Sequence, residues 1–267
     1  MGYILDNFSV NTSLKEEDFW PEMSERIKIK WHEEKEEIRK YAKNRNIKRL
    51  THFTIATNLQ SIFRSGLNSR TALRSMNIEH QRLDRSEKIY FEDFIYASLT
   101  SPNTKMLFSK YHLGVPLAII ILKVKLLWKM PFFSLPMNSA RSESIPLIQN
   151  DYSKLLGSKG FQNLFLNNEL REKWQVHSSE PTDIQSELIF LDPIPQEFFE
   201  TVLLTPIDKI SPEFLQIAKE FGFFTPGLIK KHSWKWLQEH DIASWGPKFS
   251  TESQMAYNER NWNETWS

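Results

Sequence analysis

The chain has no cysteine in 267 residues, so disulfides, zinc–thiolate sites and a cysteine nucleophile are excluded together. Nothing therefore points to an oxidising compartment. Glycine is scarce, at eight residues. None of them falls in a G-x-G-x-x-G or G-x-x-x-x-G-K pattern, which argues against a Rossmann dinucleotide site and against a P-loop. There is no G-x-S-x-G elbow, no H-E-x-x-H, and no other histidine pair at helical metal-ligand spacing, so no metal is expected. The longest apolar run, residues 115–122, is far short of a membrane span and is followed by Lys123 and Lys125. The start of the chain lacks the basic residues and apolar core of a signal peptide. A cytoplasmic protein without membrane partners is the expectation.

What is present fits a soluble globular protein, with 40% hydrophobic and 25% charged residues. The net charge of +1 hides an uneven distribution. No Asp or Glu occurs from residue 38 to 78, whereas Arg39, Lys40, Lys43, Arg45, Lys48, Arg49, Arg64, Arg70 and Arg74 all fall there. Such a stretch is either a footprint for a polyanion or a solvated helix face.

Charged, sparsely apolar periodicity predicts a helix over 22–46, with Ile27, Trp31, Ile38 and Tyr41 on one stripe. Residues 13–16 have the spacing of a capping box, as do residues 57–60. The second box opens a helix carrying Leu59, Ile62 and Phe63 and closed by Gly66. Strands are expected at 50–54, 94–99, 117–124, 184–191 and 198–204, the third being the strongest central-strand pattern. A helix is expected from Ser101-Pro102 through Tyr111. Residues 125–181 are weakly patterned, and so long a segment is usually functional or partly helical. Further amphipathic helices are expected at 212–221 and 233–240, within a tail holding Trp234, Trp236, Trp245, Trp262 and Trp266. These tryptophans suit packing onto the main domain or a partner better than base stacking.

Two placements suggest chemistry. His52 sits in a strand close to a helix N-terminus, where partial positive charge favours phosphate. Glu187 opens the apolar run Leu188-Ile189-Phe190-Leu191, and strand alternation would put Gln185 on the same face. The plain alternative is a glutamate on an edge strand facing water.

Taken in order, the motifs resemble those of the DarT family of single-stranded DNA ADP-ribosyltransferases. Arg49-Leu50-Thr51-His52-Phe53-Thr54, then Asn58-Leu59, Ile62, Gly66-Leu67 and Ser69-Arg70, is similar to that family's opening motif. Arg82-Leu83-Asp84 and the run Ser98-Leu99-Thr100-Ser101-Pro102-Asn103-Thr104-Lys105-Met106 resemble its Arg-Leu-Asp and Pro-Asn-x-Lys-Met segments. Asn138-Ser139-Ala140 is similar to its Asn-Ala-Ala loop, and Gln185-Ser186-Glu187 to its Gln-x-Glu strand. The match covers about residues 47–207. Ser101 and Thr104 stand where the family usually has aromatics, and Ser139 replaces the first alanine of its loop.

The resemblance implies an α+β ADP-ribosyltransferase-like fold: a split, mostly antiparallel sheet that holds NAD without a Rossmann motif. It implies a domain over 47–210, between a helical extension at 1–46 and a helical, Trp-rich extension at 211–267. His52, Phe53 and Thr54 would contact the ribose and nicotinamide of NAD, with Ser61, Ser69 and Arg70 near the rest of it. Glu187 and Arg82 would be catalytic, with Arg85 the second choice for the arginine. Gln185, Asn103, Lys105 and Met106 would support the site or the substrate. The implied partners are single-stranded DNA and a macrodomain antitoxin that reverses the mark, as in toxin–antitoxin systems of the phage-defence type. RNA or protein as the acceptor, or a non-catalytic nucleic-acid-binding module, are the alternatives.

Overall fold

The computed structural model describes residues 16–81, 92–103, 107, 117–139, 141, 143–173, 176–205 and 229–231. The capping box at 13–16, most of the helix expected after Pro102, the helices at 212–221 and 233–240, the tail tryptophans, and Arg82, Arg85, Lys105 and Met106 lie outside those residues.

The chain is an α+β protein built on one sheet of seven strands. In chain order these are β1 (Arg49–Ile55), β2 (Ile95–Leu99), β3 (Leu117–Lys123), β4 (Phe132–Leu135), β5 (Glu187–Phe190), β6 (Phe199–Thr205) and β7 (Ile229–Lys231). Across the sheet the order is β4-β5-β2-β1-β3-β6-β7. Every pair is antiparallel except β6 with β7. The six α-helices among the described residues are α1 (Glu16–Asn44), α2 (Leu59–Ser65), α3 (Arg70–Ser75), α4 (Ser144–Asp151), α5 (Gly157–Asn163) and α6 (Asn168–Lys173).

Strand alternation sorts the apolar side chains into two layers. On one face Leu50, Ala97, Leu99, Ile120, Leu188 and Phe190 pack with Ile38 of α1, Leu59 and Phe63 of α2, and Phe161 of α5. On the other, Phe133, Leu135 and Ile189 pack with Met23 and Ile27 of α1 and with Ile148 and Tyr152. Helix α1 feeds both layers, and its charged residues pair along the helix, as Lys30 does with Glu34 and Arg26 with Glu22.

The sheet opens between β1 and β2. Strand β1 pairs with β3 along seven residues, from Arg49↔Lys123 to Ile55↔Leu117. Its ladder with β2 holds only Leu50↔Leu99 and Thr51↔Ser98. From His52 onwards β1 and β2 therefore part, leaving polar backbone and side chains along the gap.

Three expectations need correcting. The capping box at 57–60 does not form: a short 3-10 turn (Ala56–Asn58) leads into α2, and Asn58 makes no side-chain cap. Strand β5 begins at Glu187, and residues 183–186 form a turn, so strand alternation does not govern Gln185. Nor is β5 an edge strand, because β4 covers its outer side through Leu135↔Glu187 to Phe132↔Phe190.

Gly66 does end α2, with φ of 82°. Just beyond it, Leu67 and Ile194 exchange both backbone hydrogen bonds at 2.9 Å. A Cβ at residue 66 would lie 2.5 Å from the Ile194 carbonyl oxygen. Gly66→Ala combines that clash with a left-handed backbone, so a loss of about 2–4 kcal/mol is expected in chemical denaturation.

Candidate active site

The gap between β1 and β2 is bridged at one point. His52 Nδ1 lies 2.7 Å from the backbone oxygen of Tyr96. A carbonyl only accepts, so Nδ1 carries the hydrogen and, in the neutral ring, Nε2 is left as an acceptor. Burial lowers the His52 pKa below its usual value, and the Tyr96 carbonyl offsets only part of that. The ring is therefore neutral at physiological pH.

Tyr96 also faces Glu187. It pairs with Ile189, two residues beyond Glu187 on the same face of β5. Its hydroxyl bonds the Ser139 side chain, and its pKa is held well above the usual tyrosine value, by burial first and then by the negative charge of Glu187. Arg70 pulls the same hydroxyl the other way, which puts its guanidinium within electrostatic reach of the site. Tyr96 thus stays protonated; its backbone carbonyl meets His52, and its ring shares a face of the sheet with Glu187. Its importance was missed in the sequence. The one signal was alternation in Ile95-Tyr96-Ala97-Ser98-Leu99, which sets Tyr96 and Ser98 opposite three buried apolar residues.

Glu187, half-buried at the start of β5, accepts a hydrogen bond from the Ser139 backbone N–H at 2.8 Å. The Asn138-Ser139 loop is thereby brought onto the carboxylate. Ser144 also braces the loop: its hydroxyl shares its one hydrogen between Ser139 O at 2.8 Å and Arg141 O at 2.6 Å.

The other expected residues divide. Thr54 is buried, and its hydroxyl accepts from Asn58 Nδ2 at 2.9 Å. Asn58 also exchanges two 2.8 Å bonds with the backbone of Gln81, the residue just before Arg82 in the chain. Phe53 follows His52 on β1 and is half-buried. Ser61 and Ser69 have local partners: Ser61 donates to Asn58 O, and Ser69 caps α3 by accepting from Ala72 N at 3.2 Å. Arg70 pairs with Glu92 at 3.7 Å, and Glu92 also holds Arg74. Asn103 is buried, with its carbonyl accepting from Leu107 N. Gln185 is buried too, and its backbone N–H donates to Asp183 Oδ1 at 2.8 Å.

A second polar cluster backs the turn before β5. Ser101 Oγ donates to Glu180 Oε1 at 2.7 Å, and Thr100 Oγ1 donates to Ser179 O at 2.9 Å. Glu180 is buried, and burial pushes its pKa from 4.5 to about 7 against the opposing pull of Ser101, Arg171 and Arg49. A carboxyl with a raised folded-state pKa stabilises the fold below its unfolded value. That contribution is lost as pH rises through the folded value. The melting temperature should therefore fall between pH 4.5 and about 7 on account of Glu180. Melting Glu180→Gln beside the parent across that window should give the flatter profile.

Where the sheet parts, a neutral imidazole thus lies against the Tyr96 backbone, and the Glu187 carboxylate lies on the face of the sheet that carries the Tyr96 phenol. Such a set suits a hydroxyl-rich sugar, and the carboxylate suits a sugar carbon that gains positive charge. Among the described residues no three His, Asp or Glu side chains gather as a metal site. No helix among them is long and apolar enough to cross a membrane.

No family model matches the chain, and no curated protein does. Solved structures do. The chain is similar to Thermus sp. 2.9 DarT in complex with ADP-ribosylated ssDNA, at 17% identity and a TM-score of 0.43, covering 68% of this chain and 94% of that one. The same DarT in complex with NAD+ gives 17% and 0.40, covering 68% and 95%. Thermosipho africanus DarTG in complex with ADP-ribose gives 11% and 0.39, covering 65% of this chain. The chain spans about half of that DarTG, 47% of its length.

Proposed function

We propose that this protein is an NAD-dependent ADP-ribosyltransferase that modifies a base in single-stranded DNA, and that it acts as a toxin opposed by a macrodomain antitoxin. The observation that carries the enzymatic part is the Glu187 carboxylate held by Ser139 N at the start of β5, next to the strand whose Tyr96 carbonyl meets His52. His52, Ser139 and Glu187, from three separate stretches of the resemblance, support this reading through those contacts. The ordered motifs over 47–207 carry the choice of DNA.

In this reading Glu187 accepts from the ribose 2′-hydroxyl and stabilises the positive charge that develops as the bond between ribose and nicotinamide breaks. Nicotinamide leaves with that bonding pair. A ring or amino nitrogen of the DNA base forms the new bond to the same carbon and loses its proton to solvent water, with Arg82 or, as second choice, Arg85 orienting the base. His52 Nε2 accepts from a ribose hydroxyl, and Thr54 and Phe53 line the same strand. Arg70 offers charge to the diphosphate. Gln185, Asn103, Lys105 and Met106 support the strand and the acceptor. Because the base is a poor nucleophile, most of the rate comes from holding it in line.

Labelled NAD incubated with the protein and separated DNA, RNA and protein fractions tests the acceptor. The label should enter single-stranded DNA; label confined to RNA or protein overturns the DNA assignment.

A further inference from the structure

Glu187 is half-exposed and has a long side chain, so its carboxylate keeps considerable rotamer freedom unless donors hold it. The donor at Oε2 is a backbone N–H of Ser139, in a loop rather than a strand. What fixes that loop is therefore what aims the carboxylate.

Asp183 is the group that ties loop and glutamate together. Its Oδ2 takes the Arg141 guanidinium at 3.2 Å, with side chains only 2% and 9% exposed. Arg141 lies in the 138–144 loop, where its N–H donates to Asn138 O and its carbonyl accepts from Ser144. Through its other oxygen, Oδ1, Asp183 accepts from Gln185 N at 2.8 Å, and its carbonyl accepts from Ser186 N at 2.9 Å. These two bonds shape the turn that delivers Glu187 to β5. A closed ring results: Asp183 to Arg141, from Arg141 N to Asn138 O beside Ser139, from Ser139 N across to Glu187, and back along the chain to Asp183.

We propose that Asp183 is a positioning residue for Glu187, setting both its backbone and, through Arg141 and Ser139, the direction of its carboxylate. This rests on the reading of Glu187 as the catalytic carboxylate. Stability alone is a poor explanation of the pair. Desolvating two charges largely cancels their attraction, and well-packed apolar replacements are often neutral or stabilising. A buried ion pair at this spot gains more by fixing one geometry. Asp183, four residues before the glutamate, thus adds a support that strand alternation does not contain.

Asp183→Asn keeps an acceptor for Gln185 N and removes the charge that holds Arg141. It should lower kcat by about 10²-fold, the cost of a small misplacement at a reacting centre, while KM for NAD stays within about twofold. Arg141→Gln attacks the ring from the other side and carries the same expectation, so a folding failure of Asp183→Asn leaves the proposal exposed to test. The deciding readout is a double-mutant cycle on DNA transfer. If Asp183 acts through Glu187, adding Asp183→Asn to Glu187→Gln costs nothing further. A merely structural role would lower the residual rate again, and that result, or an unchanged kcat in both single variants, overturns the proposal. A parent protein with no transfer activity instead overturns the enzymatic reading and the proposal with it.

Discussion

Replacing Glu187 by glutamine lowers the rate of ADP-ribosyl transfer by about 10²–10³-fold, the usual cost of removing one group that stabilises developing charge. The substitution keeps the side chain's size and one oxygen able to accept from Ser139 N, so the loop and β5 stay in place. What it removes is the negative charge beside the sugar, and with it the charge that helps hold the Tyr96 pKa high. The loss should fall on kcat, because the charge matters most where positive charge develops. The variant should melt like the parent. Its pKa effect gives an independent check: ultraviolet titration should show Tyr96 ionising at lower pH in Glu187→Gln, though still above the usual tyrosine value because burial is the larger cause.

Arg171→Ala has the largest expected effect on stability, about 3–5 kcal/mol. The guanidinium is buried and makes three hydrogen bonds: to Glu180 O at 2.9 Å, Thr182 Oγ1 at 3.2 Å and His177 O at 2.8 Å. It also lies 5.6 Å from the Phe165 ring centroid. Alanine leaves the buried Glu180 and Thr182 acceptors and the part-buried His177 carbonyl without this donor, each costing on the order of 1–3 kcal/mol with partial relaxation between them. It also removes a positive charge that favours ionisation of Glu180. The Glu180 carboxyl should then titrate higher still. For a chain of this size such a loss lowers Tm by about 10 °C, and thermal melting reads it directly. Because the 177–182 segment leads into the turn before Glu187, transfer activity in Arg171→Ala should fall at temperatures below its melting point.

Much of the frame was legible because it rests on local patterns. The strand expected at 117–124 became β3 within one residue, that expected at 184–191 became β5 but starts three residues later, and Gly66 ended α2. Strand β4 was missed because Phe132-Phe133-Ser134-Leu135 is only four residues long, squeezed between Pro131 and Pro136. That omission made Glu187 look like an edge residue, since β4 is what covers β5. Gln185 was misjudged for a different reason. The Asp183 side chain bonds the Gln185 N–H and folds the chain into a turn before the strand begins, a side-chain effect that alternation does not contain.

The acid-free stretch shows the limit of counting charge along a sequence. Arg70 and Arg74 meet Glu92, from eighteen or more residues downstream. Arg39 pairs with Glu36 and lies over Trp128, and Arg45 lies 4.5 Å from the Phe165 ring centroid. Part of that basic run is therefore engaged inside the protein, and its count overstates the charge offered to a polyanion. His52 and Glu187 are singled out by ordered motifs, whereas the contacts of Tyr96, Asp183 and Arg141 join distant segments, which no single stretch of sequence displays.

The most direct test is mass spectrometry of single-stranded DNA oligonucleotides of mixed sequence, incubated with NAD and either the parent protein or Glu187→Gln. A subset of oligonucleotides should gain the mass of one ADP-ribosyl group with the parent protein and not with the variant. Unchanged masses for every oligonucleotide with the parent protein, or equal modification by Glu187→Gln, would contradict the account.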